Sequence, residues 1–297
     1  MKKIMIISLS VLAAIIISCS KDEATPQPAS FLFFANYPDS SIGKIDLKNS
    51  NTVSTFAKGI PSGINNNITV LALNSSTGDL YGTDEEDPGT IYKISSGGTV
   101  SVLYSGALAN SPAGIAFNSV NNKVYWNSTG SGIIYSMNAD GSGSPVALYG
   151  GADVDAEYGL TLDVKNGKLY FTNFDEIYAG NLDGTGLPVI LYGERTDTIE
   201  SPSALVLDVD NNKIYWTDES TDVIACANLN GSGNFKILFN NATHGVERSD
   251  GLAVDFVSNK IYWSETNSNR IRVGNLDGTG TPVTLVSNVE SYSILLK

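Results

Sequence analysis

The chain has 297 residues, with 18 basic and 31 acidic side chains, one histidine and two cysteines. A formal charge of −13 argues against electrostatic binding of nucleic acid, because the phosphate backbone requires a basic surface. A single histidine also excludes any mechanism that needs a histidine dyad.

The first 18 residues have the pattern of a secretory signal peptide. Lys2 and Lys3 form a short basic head, and residues 4–17 form an apolar core that is short for a membrane span. The Ile-Ile-Ser-Cys run at positions 16–19 resembles a bacterial lipobox, in which the cysteine becomes the lipid-bearing first residue after cleavage. We therefore expect a signal peptide over residues 1–18 and lipid attachment at Cys19. The alternative is an ordinary signal peptide followed by an incidental cysteine.

Residues 19–30 are predicted to form a flexible tether. They are rich in Pro, Ala, Thr and Gln and have no hydrophobic periodicity. The Ser-Lys-Asp-Glu run after Cys19 resembles the signal that sends some Gram-negative lipoproteins to the outer face of the outer membrane, although a merely polar linker has the same character. The sequence thus predicts a lipid-anchored outer-membrane protein, at the cell surface rather than the periplasmic face, that touches the membrane only through its lipid.

From residue 31 onward, one short pattern recurs along the chain. Its clearest copy is Lys-Ile-Tyr-Trp-Thr-Asp at 213–218, and other copies start at residues 31, 79, 123, 168 and 260. The tyrosines of the last five copies are 44 to 47 residues apart. A period in the forties that is built from short strands is typical of a supersecondary unit repeated around a ring.

Each copy contains four short apolar runs, with an Asp-Gly or Asn-Gly turn between the third and fourth runs in the later copies. This order indicates the four antiparallel strands of a β-propeller blade. Six second-strand runs are present but only five internal first-strand runs, and the sixth first strand is the C-terminal run at 293–297. We therefore predict an all-β fold over residues 31–297: a six-bladed β-propeller that closes when its C-terminal strand pairs into the N-terminal blade.

The order Gly-Leu-Ala-Val-Asp, Lys-Ile-Tyr-Trp-Thr-Asp, an Ile-led third strand and Asn-Leu-Asp-Gly resembles the YWTD repeats of the LDL-receptor class B type. In that family, six repeats form a six-bladed propeller. The resemblance covers nearly all of residues 31–297 and implies this fold, together with a habit of binding proteins or ligands on one face. Gly82 and Phe171 replace the second aromatic residue in two copies, and no cysteine-rich module flanks the repeats, so the receptor setting is not implied.

The aromatic residues of the motif are expected to be structural. Alternation along a strand sends Tyr215 and Trp216 to opposite faces of the blade, where each fills space against a neighbouring blade. The same packing role is expected of Trp126 and Trp263. Asp218, at the end of its strand, is placed to accept backbone hydrogen bonds from the adjoining loop.

Loops that join the blades, and loops between second and third strands, lie on one face of the propeller, which we call the upper face. They vary in length and charge, and variable loops on a rigid scaffold are common sites of recognition. We therefore select five upper-face residues as the candidate binding site: Glu157, Tyr158, Arg248, Asp250 and Glu290. No catalytic residue or metal ligand is predicted. Calcium is conceivable on so acidic a face, but the Asp-Gly turns offer one carboxylate where a calcium loop alternates several.

Three functions are compatible with this sequence. The first, which we favour, is a membrane-anchored envelope lipoprotein whose propeller is a non-catalytic binding module for a protein, peptide or glycan. The second is a metal-dependent lactonase-like or other hydrolase-like enzyme, with Asn67 and the acidic residues before the inner strands as ligands; the apolar inner strands count against it. The third is a structural accessory subunit of an envelope complex. Fold alone does not choose among them.

Overall fold

The computed structural model describes residues 26–58, 68–151, 154, 156–193 and 199–297. The predicted signal peptide, Cys19, the first part of the tether and Asn67 lie outside the described residues. Within them the regular structure is almost entirely β, with a 3₁₀ turn at Tyr37–Asp39 and a four-residue helix, α1, at Asn241–His244. No helix in this part of the chain has the length and apolar character that crossing a bilayer requires.

The strands follow one another along the chain without other large elements. The first twelve are β1 (Phe31–Asn36), β2 (Ser41–Asp46), β3 (Thr52–Ala57), β4 (Val70–Leu73), β5 (Leu80–Thr83), β6 (Thr90–Ile94), β7 (Val100–Ser105), β8 (Pro112–Asn118), β9 (Lys123–Ser128), β10 (Ile133–Asn138), β11 (Val146–Tyr149) and β12 (Leu160–Asp163). The next twelve are β13 (Lys168–Thr172), β14 (Ile177–Asn181), β15 (Val189–Tyr192), β16 (Pro202–Asp208), β17 (Lys213–Asp218), β18 (Val223–Asn228), β19 (Lys236–Asn240), β20 (Ser249–Asp255), β21 (Lys260–Glu265), β22 (Arg270–Asn275), β23 (Val283–Ser287) and β24 (Ile294–Leu296).

These strands form six four-stranded antiparallel sheets, the blades. From the inner to the outer strand, blade 1 is β24-β1-β2-β3, and blades 2 to 6 are β4 to β7, β8 to β11, β12 to β15, β16 to β19 and β20 to β23. The six inner strands contact one another in a closed ring, from β4 through β8, β12, β16, β20 and β24 back to β4. The predicted six-bladed propeller is confirmed.

The C-terminal strand closes the ring as predicted. β24 is antiparallel to β1, with Leu32 opposite Leu296 and Phe34 opposite Ile294. The backbone N–H groups of Ser30 and Phe31 both donate to the carbonyl oxygen of Lys297 at 2.8 Å. The two ends of the described chain therefore meet in blade 1, and the inner strand that β1 requires is supplied from the far end of the sequence.

The core consists of apolar clusters between adjacent blades. Trp216 stacks on Tyr192 of the preceding blade, with ring centroids 6.0 Å apart, whereas its neighbour Tyr215 belongs to a different cluster that contains Trp263 of the following blade. These two tryptophans and Trp126 are fully buried. The expected division of Tyr215 and Trp216 between the two faces of a blade is confirmed, and the packing role of the three tryptophans with it.

The lower face, opposite the variable loops, carries tight and similar turns. In the turn after β14, the Gly184 N–H donates to the Asn181 carbonyl oxygen at 3.0 Å, and Gly184 has a φ of +78°. Any residue other than glycine would be strained in this left-handed backbone conformation. The Asp183 carboxylate accepts a hydrogen bond from the Thr185 N–H at 3.0 Å. The Asp-Gly pairs therefore serve hairpin geometry.

Candidate functional site

At the upper end of the central channel lies a cavity of about 270 Å³, which we call the mouth. Its floor is apolar, because the inner strands begin there with short aliphatic runs that contribute Val70, Leu71, Ile115, Leu160, Leu205 and Leu252. Its wall is polar and aromatic, and comes from upper loops and strand ends of five blades: Tyr37, Glu85, Tyr158, Glu219, Arg248, Asp250 and Tyr292.

Small residues at the start of the inner strands keep the mouth narrow. A Cβ atom on Gly114 would lie 2.3 Å from the carbonyl oxygen of Tyr158 in the next blade, and one on Gly159 would lie 2.3 Å from that of Ser203. Non-bonded carbon and oxygen atoms do not come this close, so a larger residue at either position would push the blades apart. The glycines therefore permit the close approach of successive inner strands around the axis.

The buried Thr of the YWTD motif ties adjacent blades together beside the mouth. The Thr217 hydroxyl donates to the Asp250 carbonyl oxygen of blade 6 at 2.6 Å and accepts a hydrogen bond from the Ala204 N–H of its own blade at 3.0 Å. In blade 3, Asn127 takes this position, and its amide donates to the carbonyl oxygen of Glu157 in blade 4. A motif residue thus fixes the backbone of two of the predicted site residues.

Arg248 lies among carboxylates. Its Nη2 is 3.0 Å from Oε2 of Glu219, and its Nε is 3.8 Å from Oδ1 of Asp250. Its backbone has a φ of +38°, and its N–H donates to Oδ1 of Asp222 at 2.6 Å. The left-handed backbone of a non-glycine residue is costly, and this hydrogen bond helps to hold it. The arginine is therefore fixed in position by contacts with blade 5.

Burial controls the ionisation of the mouth carboxyls. The Asp250 side chain is almost completely buried, which raises its pKa to about 7; a hydrogen bond from the Thr266 hydroxyl at 2.6 Å opposes this shift, and the charge of Glu219 adds to it. The pKa of Glu85 is also raised, because surrounding atoms of the mouth partly desolvate its carboxyl although the side chain is exposed, against a hydrogen bond with Thr69. The mouth therefore contains three carboxyl groups, of which the buried Asp250 is reluctant to ionise, and one arginine.

Three tyrosines complete the wall. Tyr37 and Tyr292 make an edge-to-face contact, with ring centroids 5.3 Å apart. Burial, and then the charge of Glu290, raise the pKa of Tyr292 to about 12, and burial raises that of Tyr158 as well. Because these phenols stay neutral at ordinary pH, they offer a ligand aromatic faces and hydroxyl groups.

Of the five residues selected from the sequence, Tyr158, Arg248 and Asp250 line the mouth. Glu157 and Glu290 are adjacent to it but are not among the lining residues. The backbone N–H of Glu157 donates to the Thr172 carbonyl oxygen at 2.9 Å, and the Glu290 carboxylate accepts a long hydrogen bond of 3.4 Å from the Tyr292 hydroxyl.

The sequence selection missed the other four residues of the polar and aromatic wall: Tyr37, Glu85, Glu219 and Tyr292. For Tyr292 a signal existed. Tyr158 and Asp250 each stand directly before a glycine at or near the start of an inner strand, and Tyr292 stands before Ser293, the equivalent residue just before β24. The residue before that small residue therefore marks the wall of the mouth in these three blades.

A metal site has no support in the described residues, among which no group of three or more His, Cys, Asp or Glu side chains is placed to hold an ion. His244 lies on α1, where its Nδ1 is 2.7 Å from the Thr243 hydroxyl and its ring packs edge-on against Phe239. It is not a lining residue of the mouth.

Residues 212–256 match the family model of the low-density lipoprotein receptor repeat class B. This segment begins beside the second strand of blade 5 and extends through the inner strand of blade 6. The sequence repeat therefore starts at the second strand of one blade and ends at the inner strand of the next, just as the propeller starts at β1 and ends at β24. Because the match covers one repeat, it identifies the repeat type. No protein with a curated description matches the sequence.

Solved structures share the fold at low sequence identity. A chain of a nidogen/laminin complex is 23% identical, with a TM-score of 0.76 over 90% of this chain and 97% of that chain. TolB from Acinetobacter baumannii is 16% identical, with a TM-score of 0.66 over 90% of this chain and 66% of TolB. A catalytically inactive histidine-to-alanine variant of virginiamycin B lyase from Staphylococcus aureus, with quinupristin, is 14% identical, with a TM-score of 0.61 over 86% and 84%.

Proposed function

We propose that the protein is a membrane-anchored lipoprotein of the bacterial envelope whose propeller binds a protein, peptide or glycan at the mouth without transforming it. The observation that carries this proposal is the mouth itself. A concave site with an apolar floor and a few convergent polar groups is the usual form of a ligand site in a rigid scaffold. Here the wall comes from five blades, so the fold holds the groups in place before a ligand arrives.

Two of the similar structures bear on the choice between binding and catalysis. One of them is a chain of a nidogen/laminin complex, which favours a protein ligand for this propeller also. The inactive virginiamycin B lyase lacks a histidine that its activity requires. The lining residues of the present mouth include no histidine, so a chemistry of that kind has no counterpart among them. This contrast supports a binding role over a lyase-like one.

The path of the chain supports an exposed mouth. The tether enters blade 1 at the lower face, where the Ala29 N–H donates to Oδ2 of Asp255 at 3.0 Å. Asp255 is the last residue of β20, at the end opposite Asp250 and the mouth. A lipid on Cys19 would therefore attach the propeller from its lower side and leave the mouth accessible to partners away from the membrane.

A pair of photocrosslinking variants tests this proposal in cells. A photoreactive phenylalanine analogue replaces Tyr158 at the mouth in one variant and Phe256 on the lower face in the other. The two positions are matched, since the native side chains are 41% and 39% exposed. We expect a discrete crosslinked partner from position 158 only. Crosslinks from position 256 alone would replace this proposal with an accessory subunit that is held by its lower face.

A further inference from the structure

Charge is distributed unevenly along the propeller axis. In blades 3 to 6 the second strand starts with a lysine at its lower end, and in blades 5 and 6 it ends with an acid at its upper end. Among the described residues, every lysine except Lys58 lies in the lower half, and every glutamate lies at the upper end: Glu85, Glu86, Glu157, Glu176, Glu200, Glu219, Glu247, Glu265 and Glu290. The upper face is therefore acidic, and its field attracts positively charged partners.

The arginines of the upper face do not cancel this charge at the mouth. Arg270 and Arg272 both pair with Glu265, which is buried in blade 6. Arg248 is the one arginine among the lining residues, and it is already paired with Glu219 and close to Asp250. The ion pairs found in the described residues do not include Glu85. Negative charge at the mouth therefore exceeds positive charge once the carboxyls ionise.

The shape and the rings of the mouth favour a cation carried on an apolar stem. A volume of about 270 Å³ lies at the small end of ligand sites, which span roughly 300–1,000 Å³, and gives room for one long side chain. The aliphatic floor suits methylene groups. Tyr37, Tyr158 and Tyr292 line the cavity, and an aromatic ring attracts an ammonium or guanidinium group that comes within about 6 Å of its centre.

We infer that the mouth receives a lysine or arginine side chain from an exposed basic loop of a partner protein. This inference rests on the proposed binding function and gives it a ligand class. The acidic upper face steers the partner toward the mouth, the floor takes the stem of the side chain, and Glu85 and Glu219 receive its charge. The alternative is an acidic ligand whose carboxylate pairs with Arg248. The structure disfavours it, because Arg248 is already paired with Glu219.

Selection from a random peptide library on the intact protein, at pH 8, tests the inference. The enriched peptides are then synthesised and measured against the protein and three variants. Tyr158→Ala reports whether a peptide binds in the mouth at all. Glu85→Gln removes a charge from the mouth, and Glu86→Gln removes one from the neighbouring position, which does not line it. Both glutamates are in the loop after β5, so the pair is matched in chemistry and location.

We expect peptides that lose affinity with Tyr158→Ala to contain a lysine or arginine, and replacement of that residue by norleucine or glutamine to abolish their binding. Glu85→Gln should weaken them about tenfold, as loss of a close charge partner does, whereas Glu86→Gln should have a much smaller effect. Peptides that depend on Tyr158 but contain no essential basic residue would overturn the inference and leave the binding function standing. Selection that yields no peptide sensitive to Tyr158→Ala would overturn the inference and, with it, the protein and peptide ligands of the proposed function.

Discussion

Deleting residues 293–297 removes β24 and, with it, the contact that closes the ring. Ile294 is 4% exposed and packs with Leu32 and Phe34, while Leu295 and Leu296 are half-buried. A fully buried Leu or Ile side chain contributes about 1.5–3 kcal/mol, so one buried and two half-buried side chains contribute roughly 3–6 kcal/mol. Total stabilities are roughly 5–15 kcal/mol. Loss of five terminal residues should therefore remove a large part of the free energy of unfolding.

Thermal and urea unfolding of the intact and shortened chains measure this loss. For a domain of this size, roughly 3–6 kcal/mol corresponds to a fall of about 5–12 °C in the melting temperature. Two single substitutions test whether the loss follows burial. Ile294→Ala should lower the free energy of unfolding more than Leu296→Ala, because only the Ile294 side chain is almost fully buried. If the shortened chain melted at the same temperature as the intact one, closure by β24 would not be what stabilises the ring.

Three further predictions concern the anchor and the motif. Cys19→Ala should release the protein from membranes and abolish lipid labelling; retention of both in cell fractions would contradict the lipid anchor. Trp263→Phe should lower the free energy of unfolding more than Trp216→Phe does. The Trp263 Nε1–H donates to the buried Glu265 carboxylate at 2.8 Å, whereas the Trp216 Nε1–H has no acceptor among the described residues. Equal losses in the two variants would refute this. Thr217→Val should cost about 2–4 kcal/mol in urea unfolding, since it leaves the buried Asp250 carbonyl and the partly buried Ala204 N–H without their partner. A neutral effect would show that the bridge between blades 5 and 6 is dispensable.

The blades could be predicted from the sequence because every copy of the motif meets the same surroundings. Tyr215 and Trp216 face neighbouring blades, and the same alternation recurs at each copy of the strand. Periodicity therefore reports a packing role that is repeated six times. Closure followed from the same pattern, because an inner strand missing at the N-terminus reappears at the C-terminus.

The mouth could be predicted only in part, because its members come from different blades and their residue types differ from one copy of the repeat to the next. Glu157 and Tyr158 are consecutive, yet only Tyr158 lines the cavity. Which of two adjacent loop residues points to the axis depends on how each loop joins its strand, and a charge count does not contain that information. Likewise, α1 depends on a local cap, in which the Asn240 side chain accepts a hydrogen bond from the Thr243 N–H at 2.9 Å.

The buried carboxyl of Asp250 makes a final prediction about pH. Its pKa is about 7 in the folded protein and near 3.8 in the unfolded chain, so between these values the folded state binds more protons and stability falls as pH rises. The free energy of unfolding of the native protein minus that of Asp250→Asn should decrease from pH 4 to pH 8, with a slope of at most about 1.4 kcal/mol per pH unit. Asp210→Asn is the control: Lys165 lowers the pKa of that exposed carboxyl below its ordinary value of 3.8, so its difference should stay nearly constant from pH 4 to pH 8. A difference for Asp250→Asn that is independent of pH would show that Asp250 is ionised throughout, and the mouth would then carry its full negative charge in acid as well.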